Sequence, residues 1–306
     1  MKAFLNNEWT QDYEEYINDQ FVLRDDWITL KSVCESMLLK IENNGIAYGE
    51  DGYMFEKFTT LSGDQRAQYD RNLGYAMTFL NNHQNDNVTF AIIPNAYAIM
   101  PEKLPAGLEQ IDQLALIQEA YAQAPESAGI VDFSGTLTEH KDEYIYYRTD
   151  HHWTTLGAYY AYAEFCKSKG IEAVPLTQFE KKEYPGFLGS FYADDNALSA
   201  TPDTVEAYLP KANATLDYTT GDDDTITDWP VIQDGTDYDK ENLYLIFIAG
   251  DQPYEEITNK DLNDGSACVV VKESFGNAFV PFLVSHYQTV YVVDYRYWEG
   301  SISQLV

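Results

Sequence analysis

The run NVTFAIIPN at residues 87–95 constrains the architecture most: an apolar segment of strand length, closed by Pro94 and Asn95. Residues 107–124 follow with Leu108, Ile111, Leu114, Leu116 and Ile117 at helical spacing, and residues 129–133 read as a second strand. Strand, helix, strand in this order predicts parallel pairing, because a parallel neighbour needs a crossover long enough to hold a helix. Strand-length runs return at residues 243–248, 267–271 and 289–293. Between the last two lies ESFGNAFVPFLVSHY, helical in its second half apart from Pro281. The chain therefore reads as α/β.

Other segments are less regular. Trp27, Ile28, Leu30, Val33, Met37 and Leu38 are spaced for one face of a helix, and residues 64–81 are again helical in pattern. NNGIAYGEDGYMF between them reads as a turn with short strands. Residues 171–242 change character to Thr-, Asp- and Tyr-containing runs broken by Pro and Gly, and are expected to be an inserted, acidic, β or irregular region. Within it, Asp222, Asp223 and Asp224 lack the alternating ligand spacing and closing glutamate of a calcium loop, and read as a solvated acidic turn.

Charge narrows the partners. Fifty acidic against 19 basic side chains give a net charge of -31, which disfavours nucleic acid and anionic membrane surfaces and admits neutral sugars or cationic polymers. Cys34, Cys166 and Cys268 are far apart, so neither a zinc site nor a disulfide framework is expected. The first residues, MKAFLNNEWTQDYEEY, contain no apolar stretch long enough for a signal peptide or a membrane span. The protein is thus expected to be cytoplasmic, or to have an export segment absent from this sequence.

Two segments carry chemistry. In YYRTDHHWTTLGAYYAYAEF, Asp150, His151, His152 and Trp153 precede a helix that Thr154 or Thr155 can cap. An Asp two residues before a His, on a turn, lets the carboxylate reach an imidazole nitrogen and fix its tautomer, as a general base requires. In ACVVVKESFGNAFVPFL, Ser274 sits where a buried strand stops and a helix begins. That junction exposes the hydroxyl and aims helix N–H groups at a developing oxyanion. Gly276 and Asn277 are candidates for close substrate approach and a further hydrogen bond. A serine at a helix start is more often only a cap, and the adjacent histidines could instead be metal ligands, although no HExxH and no third histidine accompany them.

RTDHHWTTLGAYYAY resembles the defining motif of the DHHW protein family, which is similar to the alginate O-acetyltransferases. ESFGNAFVPFL followed by VYVVDYRYW is similar to the same group, as are DQFVLRDDWITLKS and GIAYGEDGYMF. The likeness covers nearly the whole chain outside the insertion. It implies a single three-layer α/β/α SGNH hydrolase-like domain over residues 1–306 with a mainly parallel sheet. It also implies a triad read in the order Asp150, His152, Ser274, opposite to most SGNH enzymes, with Asp150 orienting, His152 the base and Ser274 the nucleophile. His151 occupies the variable position of the motif and ranks as a neighbour.

The usual SGNH oxyanion donors would then precede Asp150, with Asn95 the candidate asparagine. Trp153, Arg148 and Arg296 complete the candidate substrate-binding set, structural pairing with nearby acids being the leading alternative for the two arginines. Glu273 stands where related sequences generally have Asp, which keeps the charge and lengthens the side chain.

The resemblance implies a serine O-acetyltransferase or acetylesterase acting on a cell-surface or exported polysaccharide, hence extracytoplasmic. Its partners would be a carbohydrate polymer, an acyl donor and a membrane-bound acyl supplier; no cofactor and no metal are expected. The tyrosine-rich composition suits stacking against sugar rings. The competing expectation is a catalytically inactive carbohydrate-binding or surface-scaffold protein of the same fold.

Overall fold

At Asn44 and Gly45 the backbone enters the left-handed region, with φ of 48° and 82°. Asn-Gly is the pair that tolerates two such residues in a row, so the chain reverses tightly and β1 (Glu42–Asn43) pairs antiparallel with β2 (Ile46–Tyr48). Strand β3 (Met54–Glu56) completes this three-stranded unit. The computed structural model describes residues 27, 31, 41–197, 199–222, 224–302 and 305. The helix expected from Trp27 to Leu38 lies outside these residues, apart from Trp27 itself and Lys31.

Helix α1 (Gly63–Asn82) starts at a capping box in which Ser62 and Gln65 satisfy each other's backbone N–H groups. The expected strand at residues 88–93 is reduced to β4 (Thr89–Phe90). It is followed by α2 (Ala96–Ile99) and α3 (Gln113–Tyr121), the latter capped by Asp112, whose carboxylate accepts from Ala115 N–H at 2.9 Å. Strand β5 (Gly129–Ile130) pairs parallel with β4, as the strand–helix–strand order predicts. Then come α4 (Ser134–Glu139) and, after the loop that carries Asp150 and His152, α5 (Thr155–Lys169).

Residues 171–242 supply β6 (Glu180–Phe187), α6 (Ser190–Asp195), β7 (Asp203–Leu209), β8 (Ala214–Thr219) and β9 (Thr225–Trp229). Strands β6 and β7 form an antiparallel pair. Asp222 and Asp224 are exposed in the turn between β8 and β9. The chain closes with β10 (Tyr254–Asn259), β11 (Ala267–Lys272), α7 (Gly276–Leu283) and β12 (Thr289–Asp294). The last strands join the preceding region in one five-stranded sheet of order β11-β12-β10-β8-β9.

The fold is mixed α/β with several sheets. The mainly parallel sheet expected from the sequence is corrected: within the five-stranded sheet only β11 and β12 run parallel, and β10 pairs antiparallel with both β12 and β8. Parallel neighbours need a crossover that spans the sheet. Helix α7 supplies one between β11 and β12, whereas β8 and β9 are joined by a turn.

A second correction concerns residues 243–248. They are apolar because Leu243, Tyr244, Ile246, Phe247 and Ile248 are buried, not because they form a strand. Lys240–Ile246 is a 3₁₀ helix, and Ile248 and Ala249 have φ of 46° and 59°, which no strand tolerates. A short apolar run cannot be assigned by periodicity alone.

The core joins both halves of the chain. Tyr146, Trp153 and Tyr162 are fully buried, as are Phe282, Val290 and Val292. Helix α7 packs on α5, Tyr162 stacking on Phe282 with ring centroids 5.2 Å apart. Burial of apolar area on this scale is the dominant favourable contribution to folding. Here it also brings the ends of α5 and α7 together.

Candidate active site

Asp150 and His152 lie on a tight excursion between α4 and α5. Its base is closed by an antiparallel bridge from Tyr146 to Trp153, by Tyr147 N–H on the His152 carbonyl at 3.2 Å and by Thr154 N–H on the Ile145 carbonyl at 2.9 Å. Thr154, of the two threonines predicted, caps α5: its Oγ1 accepts from Gly157 N–H and donates to the Tyr144 carbonyl.

On this turn one oxygen of Asp150, Oδ1, accepts from the backbone N–H of His152 at 2.9 Å and lies 2.6 Å from its Nδ1. The other, Oδ2, accepts from Ser190 N–H at 2.9 Å. A Cβ on Gly189 would strike the Asp150 carboxylate, so glycine is what lets α6 come this close.

Strand β11 delivers Ser274 to the same point. Its Oγ is 2.8 Å from His152 Nε2, which links residues 122 positions apart. Burial by itself would raise the Asp150 pKa, but the imidazole of His152, its hydrogen bond, the neighbouring His151 and the Ser190 N–H outweigh burial and hold the carboxyl well below the usual carboxylate range. An ionised Asp150 keeps the proton of a neutral His152 on Nδ1 and leaves the Nε2 lone pair for the Ser274 hydroxyl. A hydroxyl, an imidazole and a carboxylate in this order can pass the hydroxyl proton to the ring.

Two of the residues that brace this chain, Tyr244 and Asp203, were not singled out from the sequence. Tyr244 stacks on His152, centroids 4.0 Å apart and planes 14° inclined, and its hydroxyl donates to the Ser274 carbonyl at 3.0 Å. Trp153, a substrate-binding candidate in the sequence, is instead fully buried, and its Nε1–H donates to the Phe275 carbonyl at 2.9 Å. Asp203, at the start of β7, gathers the strand leading into Asp150. Its carboxylate accepts Arg148 N–H (3.0 Å), Thr149 N–H (2.8 Å), the Thr149 hydroxyl (2.7 Å) and the Tyr144 hydroxyl.

The start of α7 departs from the expected row of free N–H groups. Glu273 Oε2 accepts Phe275 N–H at 3.1 Å and lies 3.4 Å from Ser274 Oγ. Gly276 N–H donates to the Glu273 carbonyl and Asn277 N–H to the Ser274 carbonyl. Desolvation raises the Glu273 pKa. The Asn277 side chain is fully buried and turns away from Ser274, donating to Asp251 at 2.8 Å. Gly276 is needed for packing, since a Cβ there would lie 2.6 Å from the Lys272 stem.

The other candidates divide. His151 is at the site: its ring lies on His152 at 3.8 Å between centroids, and Nδ1 is 2.7 Å from Ser190 Oγ. Desolvation and the adjacent His152 push its pKa down to about 4, so the ring is neutral near pH 7. Arg296 is held by Asp294, with Nε–Oδ1 2.9 Å and Nη2–Oδ2 2.6 Å, and lies 3.1 Å from Asp251.

Arg148 points to the amino-terminal unit, stacked over Tyr144 (4.7 Å) and Tyr53 (5.4 Å) with Nε donating to the Asp51 carbonyl. Asn95 begins α2, and its N–H donates to Gln113 Oε1 at 2.7 Å; among the described contacts none joins it to Ser274. Asp150, His151 and His152 bring metal-ligating atoms within 4.8 Å of one another. Both ring nitrogens of His152 and Nδ1 of His151 face hydrogen-bond partners: Asp150 and Ser274 for His152, and Ser190 for His151.

Comparison with known proteins agrees on family. The family described as DHHW protein matches residues 83–293, which include Asp150, His152 and Ser274. "Probable alginate O-acetylase AlgJ" of Pseudomonas syringae pv. tomato is 26% identical over 210 residues, 64% of this chain and 53% of that protein. The chain thus spans about half the length of that relative. A DHHW family protein from Eubacterium siraeum superposes with a TM-score of 0.71 at 27% identity over 87% of each chain. Bacillus cereus PatB1 shares the fold, with a TM-score of 0.66 at 18% identity over 83% of this chain and 89% of its own.

Proposed function

Because this chain belongs to the DHHW protein family, we propose that it is a serine acyl-transfer enzyme, an O-acetyltransferase or acetylesterase of a polysaccharide. The observation that carries this reading is the contact chain from Ser274 Oγ to His152 Nε2 (2.8 Å) and from His152 Nδ1 to Asp150 Oδ1 (2.6 Å). The name of its relatives, alginate O-acetylase, supports the class of reaction. We read the fold as an SGNH hydrolase-like domain working outside the cytoplasm, with a carbohydrate polymer and an acyl donor as partners and a membrane-bound protein as acyl supplier.

In this mechanism His152 Nε2 takes the Ser274 proton as Oγ attacks the acetyl carbonyl. The tetrahedral intermediate expels the donor alcohol, which receives that proton from His152, and acetyl-Ser274 remains. An acceptor hydroxyl, from sugar or water, then gives its proton to His152 and attacks the acetyl carbon, and Ser274 leaves with the proton returned to it. Asp150 stays ionised throughout and stabilises the imidazolium. Incubation with an activated acetyl ester should give an acetyl adduct on Ser274 by mass spectrometry and release of the leaving group. Equal release by Ser274→Ala would refute the proposal.

One observation favours a second reading, a non-catalytic carbohydrate-binding protein of the same fold: Glu273 occupies the Phe275 N–H beside Ser274. Glycan binding that survives alanine at Asp150, His152 and Ser274, without any adduct, would select it.

A further inference from the structure

The DHHW turn forms the wall of a cleft. A cavity of about 350 Å³ opens between the Asn44–Gly45 turn, β3 and α6, lined by His151, Ser190, Phe191, Asp194, Glu56 and Lys57 among others. Its volume is within the range of small-ligand sites, roughly 300–1,000 Å³. Two of these residues are joined directly to the relay: His151 lies on the His152 ring at 3.8 Å, and Ser190 N–H donates to Asp150 at 2.9 Å. The opposite wall is fixed, because Asp195 of α6 accepts from Asn43 and Tyr48, and Asn44 Nδ2 donates to the Asp194 carbonyl at 3.0 Å. The cleft is therefore framed by hydrogen bonds within the fold and shares a wall with the candidate relay.

Its charge is acidic. Glu56 and Asp194 are both exposed, whereas Lys57 is engaged by Glu42 at 2.7 Å. The whole chain adds a net charge of -31 to the local field. His151 brings no positive charge near neutral pH. Carboxylates accept hydrogen bonds from sugar hydroxyls and pair with ammonium groups, but a ligand carboxylate would meet like charge, and Lys57, the one Lys or Arg among the described lining residues, is already paired with Glu42.

Resting on the acyl-transfer reading above, we propose that this cleft is the acceptor subsite and that it takes a sugar unit that is uncharged or bears an amino group, not a uronate. The acceptor class thus differs from the uronic-acid polymer named for the relatives.

The test loads Ser274 from an activated acetyl ester and offers cello-oligosaccharide, chitosan oligosaccharide and oligouronate separately, at low salt, reading acetylated product by mass spectrometry. The same oligosaccharides are titrated into Ser274→Ala by calorimetry. Uronate should be acetylated and bound at least tenfold less well than the other two, and the double variant Glu56→Gln, Asp194→Asn should close that gap to within about threefold. Loading of Ser274 with uronate as the preferred acceptor overturns the subsite and leaves acyl transfer standing. Failure of Ser274 to load overturns acyl transfer. In that case, and where the adduct passes only to water, the calorimetric order decides the cleft: a uronate preference, or an order untouched by the double variant, overturns it.

Discussion

Tyr244 lies flat on His152, ring centroids 4.0 Å apart, while its hydroxyl donates to the carbonyl of Ser274 at 3.0 Å. One side chain therefore fixes both the face of the imidazole and the backbone that presents the hydroxyl to it. Burial keeps the Tyr244 phenol protonated by raising its pKa far above the ordinary value. Tyr244→Phe retains the stack and loses the hydrogen bond, which should cost about 1 kcal/mol of stability. Tyr244→Ala frees the imidazole and should lower single-turnover acylation about a hundredfold, the effect expected of an ångström-scale displacement. Acylation at the wild-type rate in Tyr244→Ala would show that the stack does not position His152.

Asp203 is buried and receives donors from Tyr144, Arg148 and Thr149. Asp203→Asn places an NH₂ among donors and removes the charge that strengthens their bonds. A loss of about 3 kcal/mol in urea unfolding is expected, with lowered activity because the strand leading into Asp150 loosens. Asp222→Asn, in an exposed turn, should change stability by less than about 0.5 kcal/mol. Similar midpoints for the two variants would contradict the bracing role.

The contacts of Arg148 are those of a packing residue. Its guanidinium lies over Tyr144 and Tyr53, and Nη1 is 3.7 Å from Asp203. Arg148→Ala should lower the melting temperature through lost cation–π contact worth about 1 kcal/mol. KM for ester and acceptor should stay within about twofold. A KM raised tenfold at unchanged melting temperature would restore the substrate-binding role.

Glu255 is fully buried, with Lys272 Nζ 3.9 Å away. Burial raises its pKa well above the ordinary value, Lys272 only partly opposing it. The folded protein therefore holds a proton that the unfolded chain has released, and stability falls as pH rises from about 4 towards the folded value. Glu255→Gln removes this dependence. Its stability relative to wild type should grow with pH above about 4, by at most about 1.4 kcal/mol per pH unit, in denaturant titrations at pH 4, 6 and 8. A difference that does not change with pH would mean that Glu255 is ionised throughout.

What the residues themselves revealed was what is local; the pairing of His152 with Ser274, 122 positions away, came only from the family resemblance. The Asp150–His152 contact spans two positions, and the cap at Thr154 and the turn at Asn44–Gly45 are equally short in range. The pairing of β4 with β5 followed from a crossover visible in the sequence. Supports that cross the chain were hidden: Ser190 lies 40 positions from Asp150, Asp203 lies 54 from Thr149, and Tyr244 lies 30 from Ser274. Their segments looked irregular or strand-like because a sequence window registers apolar spacing and not what a side chain meets across the fold. The antiparallel sheet was missed for the same reason: strand runs reveal their length but not their direction.

The indole of Trp153 and the carbonyl of Phe275 tie two segments 122 positions apart, beside the contact of His152 with Ser274. The candidate relay cannot be completed by either stretch of chain alone. Loss of the His152–Ser274 contact and separation of α5 from α7 are then one event, so the candidate site exists only in molecules whose two segments are still packed together.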